Sequence, residues 1–281
     1  MLQFNSLPSL AEYIPRDYVE EIAIQSLDLT VIEDLILETR FSKSLFLGCT
    51  LSDSLLHHLL PDNFIFPALD VPFNTYPSSL YNKDTLYNNF DPSRPETYST
   101  TLDHVVYEYY QQSLERLSIK DTLAQRLHDH SITDSLHDYI SKYDEKKLVA
   151  IMGGHRVKRT DEMYLQVARL SKMLTEQGYL MLSGGGPGAM EATHAGAWMA
   201  GRSDNELLEA MEIIKEAPVY SHPDWLSTAF RMMEQFPDPP YESLGIPTWH
   251  YGHELPTPLA TRIAKYFENS VREEGLLAIA K

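Results

Sequence analysis

Six of the thirteen glycines in this chain of 281 residues fall in one stretch, LMLSGGGPGAMEATHAGAWMAG, which runs from Leu180 to Gly201. Glycine costs backbone entropy, so the cluster implies that something approaches the main chain more closely than a Cβ atom allows. The apolar letters before the glycines are typical of a buried strand, and those after them favour a helix. A strand, a glycine turn and a helix N-terminus together form an anion site suited to a phosphate.

The preceding residues extend this pattern. The run KLVAIMGG (147–154) predicts a buried strand followed by a glycine turn, and DEMYLQVARLSKMLTEQG (161–178) predicts a helix that stops at Gly178. The order strand, helix, strand, glycine turn, helix is the opening of a parallel, doubly wound α/β sheet. Ligands of such sheets bind at the carboxyl ends of the strands, where both glycine turns are expected.

Different roles are expected for the glycines of the second turn. Residues 184–188 would let a phosphate touch the backbone, whereas Gly196 and Gly201 would allow close packing against the sheet and then end the helix. The basic cluster HRVKR, from His155 to Arg159, follows the first turn and supplies Arg156, Lys158 and Arg159, which either neutralise a phosphate or lie in a solvated loop.

Two other chemistries are disfavoured. Gly184, Gly186 and Ala189 fit the dinucleotide fingerprint G-x-G-x-x-A, but the turn follows the second strand of the unit, and the acidic residues of GRSDNELLEA read as a helix start. The histidine pairs HDH (128–130) and HYGH (250–253) lack the cysteines or clustered carboxylates of a zinc set. The sequence therefore predicts no metal and no cofactor.

Glycine usage predicts two domains. Gly48 is the only glycine before residue 147, while eleven of the seventeen tyrosines lie there. We expect a mixed α+β accessory region at 1–147 and the α/β domain at 148–281. The accessory region has helical periodicity at 101–117, 120–130 and 132–143, strand-like runs at 44–50 and 63–69, and a long irregular segment at roughly 70–100.

A five-residue rhythm also crosses the accessory region. Apolar residues recur at Val31, Ile36, Phe41, Phe46 and Leu51, each preceded two places earlier by Leu29, Asp34, Thr39, Ser44 and Cys49. The spacing suits a fragment of a squared β-helix, and the alternative is coincidental spacing in ordinary strands and loops.

Composition limits the partners and the compartment. A formal charge of −17 argues against a general nucleic-acid binder, which normally needs surplus Lys and Arg. No apolar run reaches the roughly 18 residues of a membrane-spanning helix, and the N-terminus lacks the pattern of a secretory signal. The single cysteine, Cys49, fits a reducing compartment. A cytoplasmic protein without membrane contact is predicted.

The longer pattern, VAIMGGHRVKRTDEMYLQVARLSKMLTEQGYLMLSGGGPGAMEATHAGAWMAG, resembles the Lonely Guy (LOG) family, long labelled lysine-decarboxylase-like. Its string GGGPGAMEA at 184–192 is similar to that of the larger bacterial members. The resemblance covers about 148–281 and implies a Rossmann-like fold, a homodimer, and hydrolysis of a nucleoside 5′-monophosphate to base and ribose 5-phosphate. The residues implied to hold the nucleotide are Gly153, Gly154, Arg156, Ser183, Gly184, Gly185, Gly186, Gly188, Ala189 and Met190.

The resemblance also implies catalytic residues. Glu191 would contact the sugar, or would simply complement its helix N-terminus; Arg272 in NSVREEGLL would assist departure of the base, although Glu273 and Leu276 replace a lysine and a methionine of the family pattern. The family's second signature, PGGxGTxxE, with its catalytic glutamate, does not occur. The run 259–281 reads as one long or broken helix, so we expect a fragment, or the product of a shortened gene, that ends before that signature. The alternative is a natural end with a smaller sheet. The alternative to an enzyme is a nucleotide-binding sensor or carrier without catalysis.

Overall fold

The computed structural model describes residues 1–14, 17–116 and 118–279. Within them the secondary structure alternates between short strands and helices. In chain order, the elements are β1 (Leu2–Phe4), α1 (Leu7–Tyr13), β2 (Tyr18–Glu20), β3 (Ile22–Gln25), α2 (Glu33–Leu37), β4 (Arg40–Ser42), β5 (Leu45–Leu47), α3 (Asp53–Leu59), β6 (Phe64–Phe66), α4 (Lys83–Leu86), α5 (Leu102–Arg116), α6 (Ile119–Ile140), β7 (Leu148–Ile151), α7 (Glu162–Glu176), β8 (Leu180–Ser183), α8 (Ala189–Trp198), α9 (Asp204–Lys215), α10 (Trp225–Gln235), β9 (Ser243–Gly245), β10 (Arg262–Ile263) and α11 (Asn269–Ile279).

The chain divides into two compact units. Unit 1 comprises Met1–Ser79 and Ser118–Ser135, and unit 2 comprises Leu80–Leu117 and Leu136–Lys281. This division differs from the boundary expected near residue 147, because residues 80–117 belong to the same unit as the C-terminal part of the chain. Both units combine helices with parallel sheets, so the protein is of the mixed α/β class. None of the described helices is long and apolar enough to cross a membrane.

Unit 1 is a short stack of parallel coils. Its main sheet has the order β1-β3-β5-β6, with Phe4, Ile24, Phe46 and Ile65 aligned across the four strands, and β2 pairs with β4 in a second parallel sheet. One coil consists of a strand of the main sheet, a helix and, in the first two coils, a strand of the second sheet. Parallel strands that repeat at a nearly constant chain distance bury one continuous core between successive coils.

The five-residue rhythm follows only part of this stack. Ile36, Phe41 and Phe46 are buried in the unit 1 core, but Val31 is 67% exposed. The α-helices α2 and α3 occupy segments that a squared β-helix would build from extended chain. The structure has the stacked parallel coils that the rhythm suggested. It does not have the coils made only of extended chain that a squared β-helix requires.

The other predictions for the first half are refined by the structure. Segment 120–130 and most of 132–143 lie in a single helix, α6, which ends at Ile140. Between the two segments, the hydroxyl of Ser131 bonds back to the carbonyl of Leu127 at 3.0 Å. Strands β5 and β6 fall within 44–50 and 63–69. Helix α5 falls within 101–117, of which Leu117 lies outside the described residues.

Unit 2 is built around a parallel sheet whose order is β10-β9-β8-β7. The four strands follow one another in chain order, so the described residues contain no reversal of strand order of the kind that defines a doubly wound sheet. All four carboxyl ends lie at the same edge of the sheet, as in any parallel arrangement. The strand, helix, strand, turn, helix order expected over 147–201 matches β7, α7, β8 and α8.

The C-terminal run folds differently from the helix expected over 259–281. Arg262 and Ile263 form β10, which pairs in parallel with Leu244 and Gly245 of β9, and a separate helix, α11, begins at Asn269. Ile263 also exchanges backbone hydrogen bonds with Tyr81, at 2.9 and 2.7 Å. These tertiary pairings outweigh the local helical periodicity. The chain end at Lys281 lies outside the described residues.

Helix α8 lies at the centre of unit 2, and nearly all of its residues are buried. It packs most closely against α7 at Gly196, where a Cβ atom would lie 2.1 Å from the carbonyl oxygen of Ala168. Gly196 therefore permits close contact with a helix rather than with the sheet. Gly201 has a φ of +82° beyond the helix, as expected of a stop. The core cluster around α8 comprises Tyr164, Ala168, Ala192, Ala195, Trp198, Met199, Leu207, Ala210, Met211, Ile214, Ala229, Met232, Met233, Phe236 and Leu259.

We predict opposite effects for alanine at two helical glycines. Gly196→Ala should lower the free energy of unfolding by about 2 kcal/mol, because its Cβ would overlap the Ala168 carbonyl of α7. Gly275→Ala in α11, where a Cβ meets no atom within 4 Å, should raise stability by up to about 1 kcal/mol. Urea unfolding of both variants measures the difference, and equal effects would contradict the close α7–α8 contact.

Candidate functional site

A cavity of about 220 Å³ opens in unit 2 at the carboxyl ends of β7, β8 and β9. We call it the strand-end cavity. Residues that directly follow each of these three strands contribute to its wall, which is where parallel α/β sheets place their ligands. The lining residues are Met152, Gly153, His155, Gly184, Gly186, Met190, Pro247, Thr248, Tyr251, Glu254 and Arg272.

The two glycine turns are in direct contact beside this cavity. A Cβ atom on Gly188 would lie 2.2 Å from the carbonyl oxygen of Gly154, and one on Gly154 would lie 2.7 Å from the Cβ of Ala189. The backbone N–H of Ala189 donates to the Gly154 carbonyl at 3.1 Å. Both glycines also have φ near +74°. These two positions are glycine because the turns pack on each other, and this contact fixes the start of α8.

The other glycines of the second turn divide into lining and packing positions. Gly184 and Gly186 line the cavity, where a Cβ would come within about 3 Å of the flexible Met190 side chain. Gly185, with a φ of +72°, lies instead against Pro247, 2.8 Å from where its Cβ would be. Gly153 lines the cavity and a Cβ there would meet no atom within 4 Å. Only part of the glycine cluster therefore leaves backbone open to a ligand.

Unpaired backbone donors accompany the open glycines. Over the described ranges, the N–H groups of Gly186 and Met190 donate to no protein acceptor. Met190 is in the first turn of α8, where N–H groups have no intrahelical partner. Both residues line the strand-end cavity, so the positive end of the α8 dipole lies beside the cavity.

Arg272 brings a positive charge to the same cavity from α11. Its Nη1 lies 3.3 Å from where a Cβ on Gly184 would be, and it also donates to the carbonyl of Ile246 at 3.5 Å. Nε donates to Asn269 at 3.1 Å, and Nη2 lies 3.3 Å from Glu273. The side chain is 14% exposed, so its charge is partly desolvated and held beside the glycine turn.

Ser183 supports the turn from beneath the cavity. The residue is fully buried, and its hydroxyl accepts from the N–H of Gly185 at 2.9 Å and bonds Nε2 of His194 at 2.7 Å. Nδ1 of His194 in turn bonds the hydroxyl of Ser243 in β9 at 2.9 Å. Burial lowers the pKa of His194 to about 3, so its ring is neutral at physiological pH. Ser183 therefore orients the turn, and its hydroxyl is not directed to a ligand in the cavity.

Glu191 forms a buried ion pair with Arg159. Two hydrogen bonds join them, Nε to Oε2 at 2.9 Å and Nη2 to Oε1 at 2.5 Å, and both side chains are 1% exposed. Burial alone would lower the pKa of Arg159, but the charge and hydrogen bonds of Glu191 raise it above its usual value. Arg159 also donates to Thr228 at 2.7 Å and lies over the Trp225 ring at 4.8 Å.

Three residues implied to contact the nucleotide line a second cavity instead. This cavity, of about 240 Å³, is bordered by Arg156, Gly188 and Glu191 together with the aromatic side chains of Tyr220 and Trp225. His155 lines both cavities. Tyr164 is fully buried, and burial and then the charge of Glu191 raise the pKa of its hydroxyl well above the usual value.

The structure adds residues that sequence reasoning missed. The segment between β9 and β10 supplies Thr248, Tyr251 and Glu254 to the strand-end cavity. Tyr251 is 43% exposed at the cavity wall. In this segment the sequence offers the HYGH pair at 250–253, whose spacing is typical of metal ligands and does not indicate a ligand cavity. In the described part of the chain, no group of three or more His, Cys, Asp or Glu side chains has the arrangement of a metal site.

No protein-family model matches the chain, and no curated protein is significantly similar to it.

The buried pair predicts a loss of stability for a conservative change at Glu191. Glu191→Gln should lower the free energy of unfolding by about 3 kcal/mol, because it leaves the Arg159 guanidinium buried without a counter-charge. The double variant Arg159→Leu with Glu191→Leu should be less destabilised than the single change. Urea unfolding measures both. If Glu191→Gln keeps the wild-type stability but loses ligand binding, Glu191 contacts the ligand directly, and its assignment to a structural ion pair with Arg159 is contradicted.

The neutral His194 predicts a defined pH dependence of stability. The pKa of His194 is about 3 in the folded chain and 6.5 at its ordinary value. As the pH falls below 6.5, His194 takes up a proton in the unfolded chain but stays neutral in the folded chain. Stability should drop toward pH 3, by up to about 1.4 kcal/mol per pH unit from this one group. Unfolding free energies measured from pH 7.5 to 4.5 should fall less steeply in His194→Gln than in the wild type. His137→Gln, at an exposed histidine, is the control and should keep the wild-type dependence of unfolding free energy on pH. The account is contradicted if His194→Gln also keeps the wild-type dependence.

Proposed function

We propose that unit 2 binds a nucleoside 5′-monophosphate with its phosphate in the strand-end cavity. One observation carries the proposal: Gly186 and Met190, whose N–H groups donate to no acceptor in the described residues, line one cavity with Arg272 at the carboxyl ends of three parallel strands. Backbone donors at a helix N-terminus and an arginine are both recurrent means of holding a phosphate in proteins.

The resemblance of GGGPGAMEA at 184–192 to the larger LOG proteins supports a nucleotide rather than a free anion. Under this proposal the sheet β7-β8-β9-β10 is the Rossmann-like core of a LOG-type domain. The family resemblance implies a homodimer, and the composition predicts a cytoplasmic location and no cofactor; we extend these expectations to this chain as part of the proposal.

The dimensions of the cavity suit one end of a nucleotide. A volume of about 220 Å³ is below the roughly 300–1,000 Å³ of sites that enclose a whole small molecule, so it accommodates a ribose phosphate better than a complete nucleotide. Tyr251, 43% exposed at the wall, offers an aromatic face against which the base can stack. The phosphate and sugar would then be enclosed, with the base beside Tyr251.

The reaction proposed by the same resemblance is hydrolysis of the N-glycosidic bond. The transition state of such a reaction has a cation-like sugar, which requires a carboxylate beside the ribose. A non-catalytic sensor or carrier is the second candidate, and a specific observation favours it: Glu191, one of the two residues implied for catalysis, is locked in its ion pair with Arg159.

Phosphate binding predicts a selective effect of one charge removal. Arg272→Met should weaken the affinity for AMP about tenfold to a hundredfold, because a charge-assisted contact to the phosphate is lost. Isothermal titration calorimetry with AMP, adenosine and ribose 5-phosphate measures it. Arg169→Met, an exposed arginine on α7 away from the cavity, is the matched control and should bind AMP like the wild type.

Two results would contradict the proposal. Adenosine bound as tightly as AMP by the wild type would mean that the phosphate is not recognised. Equal AMP affinity in Arg272→Met and Arg169→Met would mean that the guanidinium at the strand-end cavity does not contact the ligand.

A further inference from the structure

One acidic side chain lies in the strand-end cavity with the phosphate-binding groups. Oε2 of Glu254 is 3.8 Å from where a Cβ on Gly186 would be, and Glu254 lines the cavity together with Arg272. In the ranges that the structure describes, its carboxylate has no hydrogen bond and no ion pair. Arg272 interacts instead with Glu273, Asn269 and the carbonyl of Ile246.

A carboxylate is out of place in a cavity that serves a phosphate alone. Two anions a few ångströms apart repel each other, and this repulsion grows as water is excluded. Glu254 therefore favours a ligand that is anionic at one end and electron-poor at the other. The ribose phosphate of a nucleotide has this character when its glycosidic bond breaks, because C1′ then becomes cation-like while the phosphate keeps its charge.

The loop that carries Glu254 is held in place along its length. The Nε1–H of Trp249 donates to Asp103 at 3.2 Å, and the Trp249 ring stacks on Phe267 at 4.5 Å. Gly252 lies so close to Tyr107 that a Cβ would overlap its ring.

The far end of the loop is attached to the glycine turn itself. The hydroxyl of Tyr87 donates to the carbonyl of Pro256, and the N–H of Thr257 donates to the carbonyl of Gly185 at 2.8 Å. The backbone N–H of Glu254 also donates to the carbonyl of Tyr251 at 2.9 Å. The loop backbone is therefore fixed beside the glycine turn before the ligand arrives, which keeps the Glu254 carboxylate near the place where a charge would develop.

We propose that Glu254 is the catalytic carboxylate of this site, a role that rests on the proposed function above. The bond between C1′ and the base nitrogen breaks, and its electron pair leaves with the base. The oxygen of a water molecule forms the new bond to C1′, one water proton passes to Glu254, and the base takes up a proton from solvent. The Glu254 proton then returns to solvent, so that nucleotide and water give free base and ribose 5-phosphate. Glu254 stabilises the cation-like sugar and accepts the proton, the role that the family resemblance assigns to the glutamate of the second signature.

The test compares Glu254→Gln with a matched control in the full chain. Each protein is titrated calorimetrically with AMP, GMP, CMP and UMP, and release of free base is followed by chromatography on the same samples. Glu254→Gln should bind the preferred nucleotide within about threefold of the wild type, or more tightly, while kcat falls about a hundredfold or more. Glu234→Gln, an exposed glutamate on α10, should leave both unchanged. Glu254→Asp, which keeps the charge, should recover part of the lost kcat.

Thermal unfolding of each variant separates loss of catalysis from loss of folding. The outcomes also separate this inference from the proposed function. Binding of nucleotide by the wild type without base release, or equal kcat in wild type and Glu254→Gln, overturns the role of Glu254 and leaves the binding site standing. Absence of binding for all four nucleotides overturns both.

Discussion

The contact between the two glycine turns is the constraint on which the rest of unit 2 depends. The Gly154 carbonyl accepts from the N–H of Ala189 and leaves no room for a side chain at Gly188. Because α8 begins at this contact, its direction and the position of its free N–H groups follow from it. A larger residue at either position would move the helix start away from the strand ends. The part of the cavity wall formed by Gly186 and Met190 therefore depends on the packing of the turn after β7 against the turn after β8.

Buried polar pairs hold the surroundings of this contact. Arg159 and Glu191 tie the segment after β7 to α8, and His194 links Ser183 of β8 to Ser243 of β9. A further buried pair, Asp103 with Lys265, lies under the loop after β9. Burial lowers the pKa of Lys265, and Asp103 opposes that change. Removing each ion pair from water costs free energy. The attraction between the two charges offsets this cost only when their geometry is good and their remaining hydrogen bonds are made. Such pairs fix relative positions more than they add stability.

The sequence predicted the parts of the site that depend on local pattern. Strands at 148–151 and 180–183, the helix at 162–176 and the open glycine turns follow from hydrophobic period and glycine placement. It missed what depends on tertiary pairing: β10 was read as helix because Arg262 and Ile263 become a strand only beside β9.

The two acidic residues illustrate the same limit. Glu191 follows the glycine turn in sequence, yet its side chain is directed to Arg159, whereas Glu254 is distant in sequence and reaches the cavity on an anchored loop. No spacing rule connects residues 186 and 254. The stack of parallel coils in unit 1 likewise left only a short rhythm in the sequence. Paired strands are about twenty residues apart in the chain, and helices lie between them.

The most direct test of the central claim is a crystal structure of the protein with AMP bound. The account predicts the phosphate within hydrogen-bond distance of the N–H groups of Gly186 and Met190 and of the Arg272 guanidinium, with C1′ facing Glu254. A phosphate bound in the second cavity beside Arg156, or elsewhere on the protein, would contradict it.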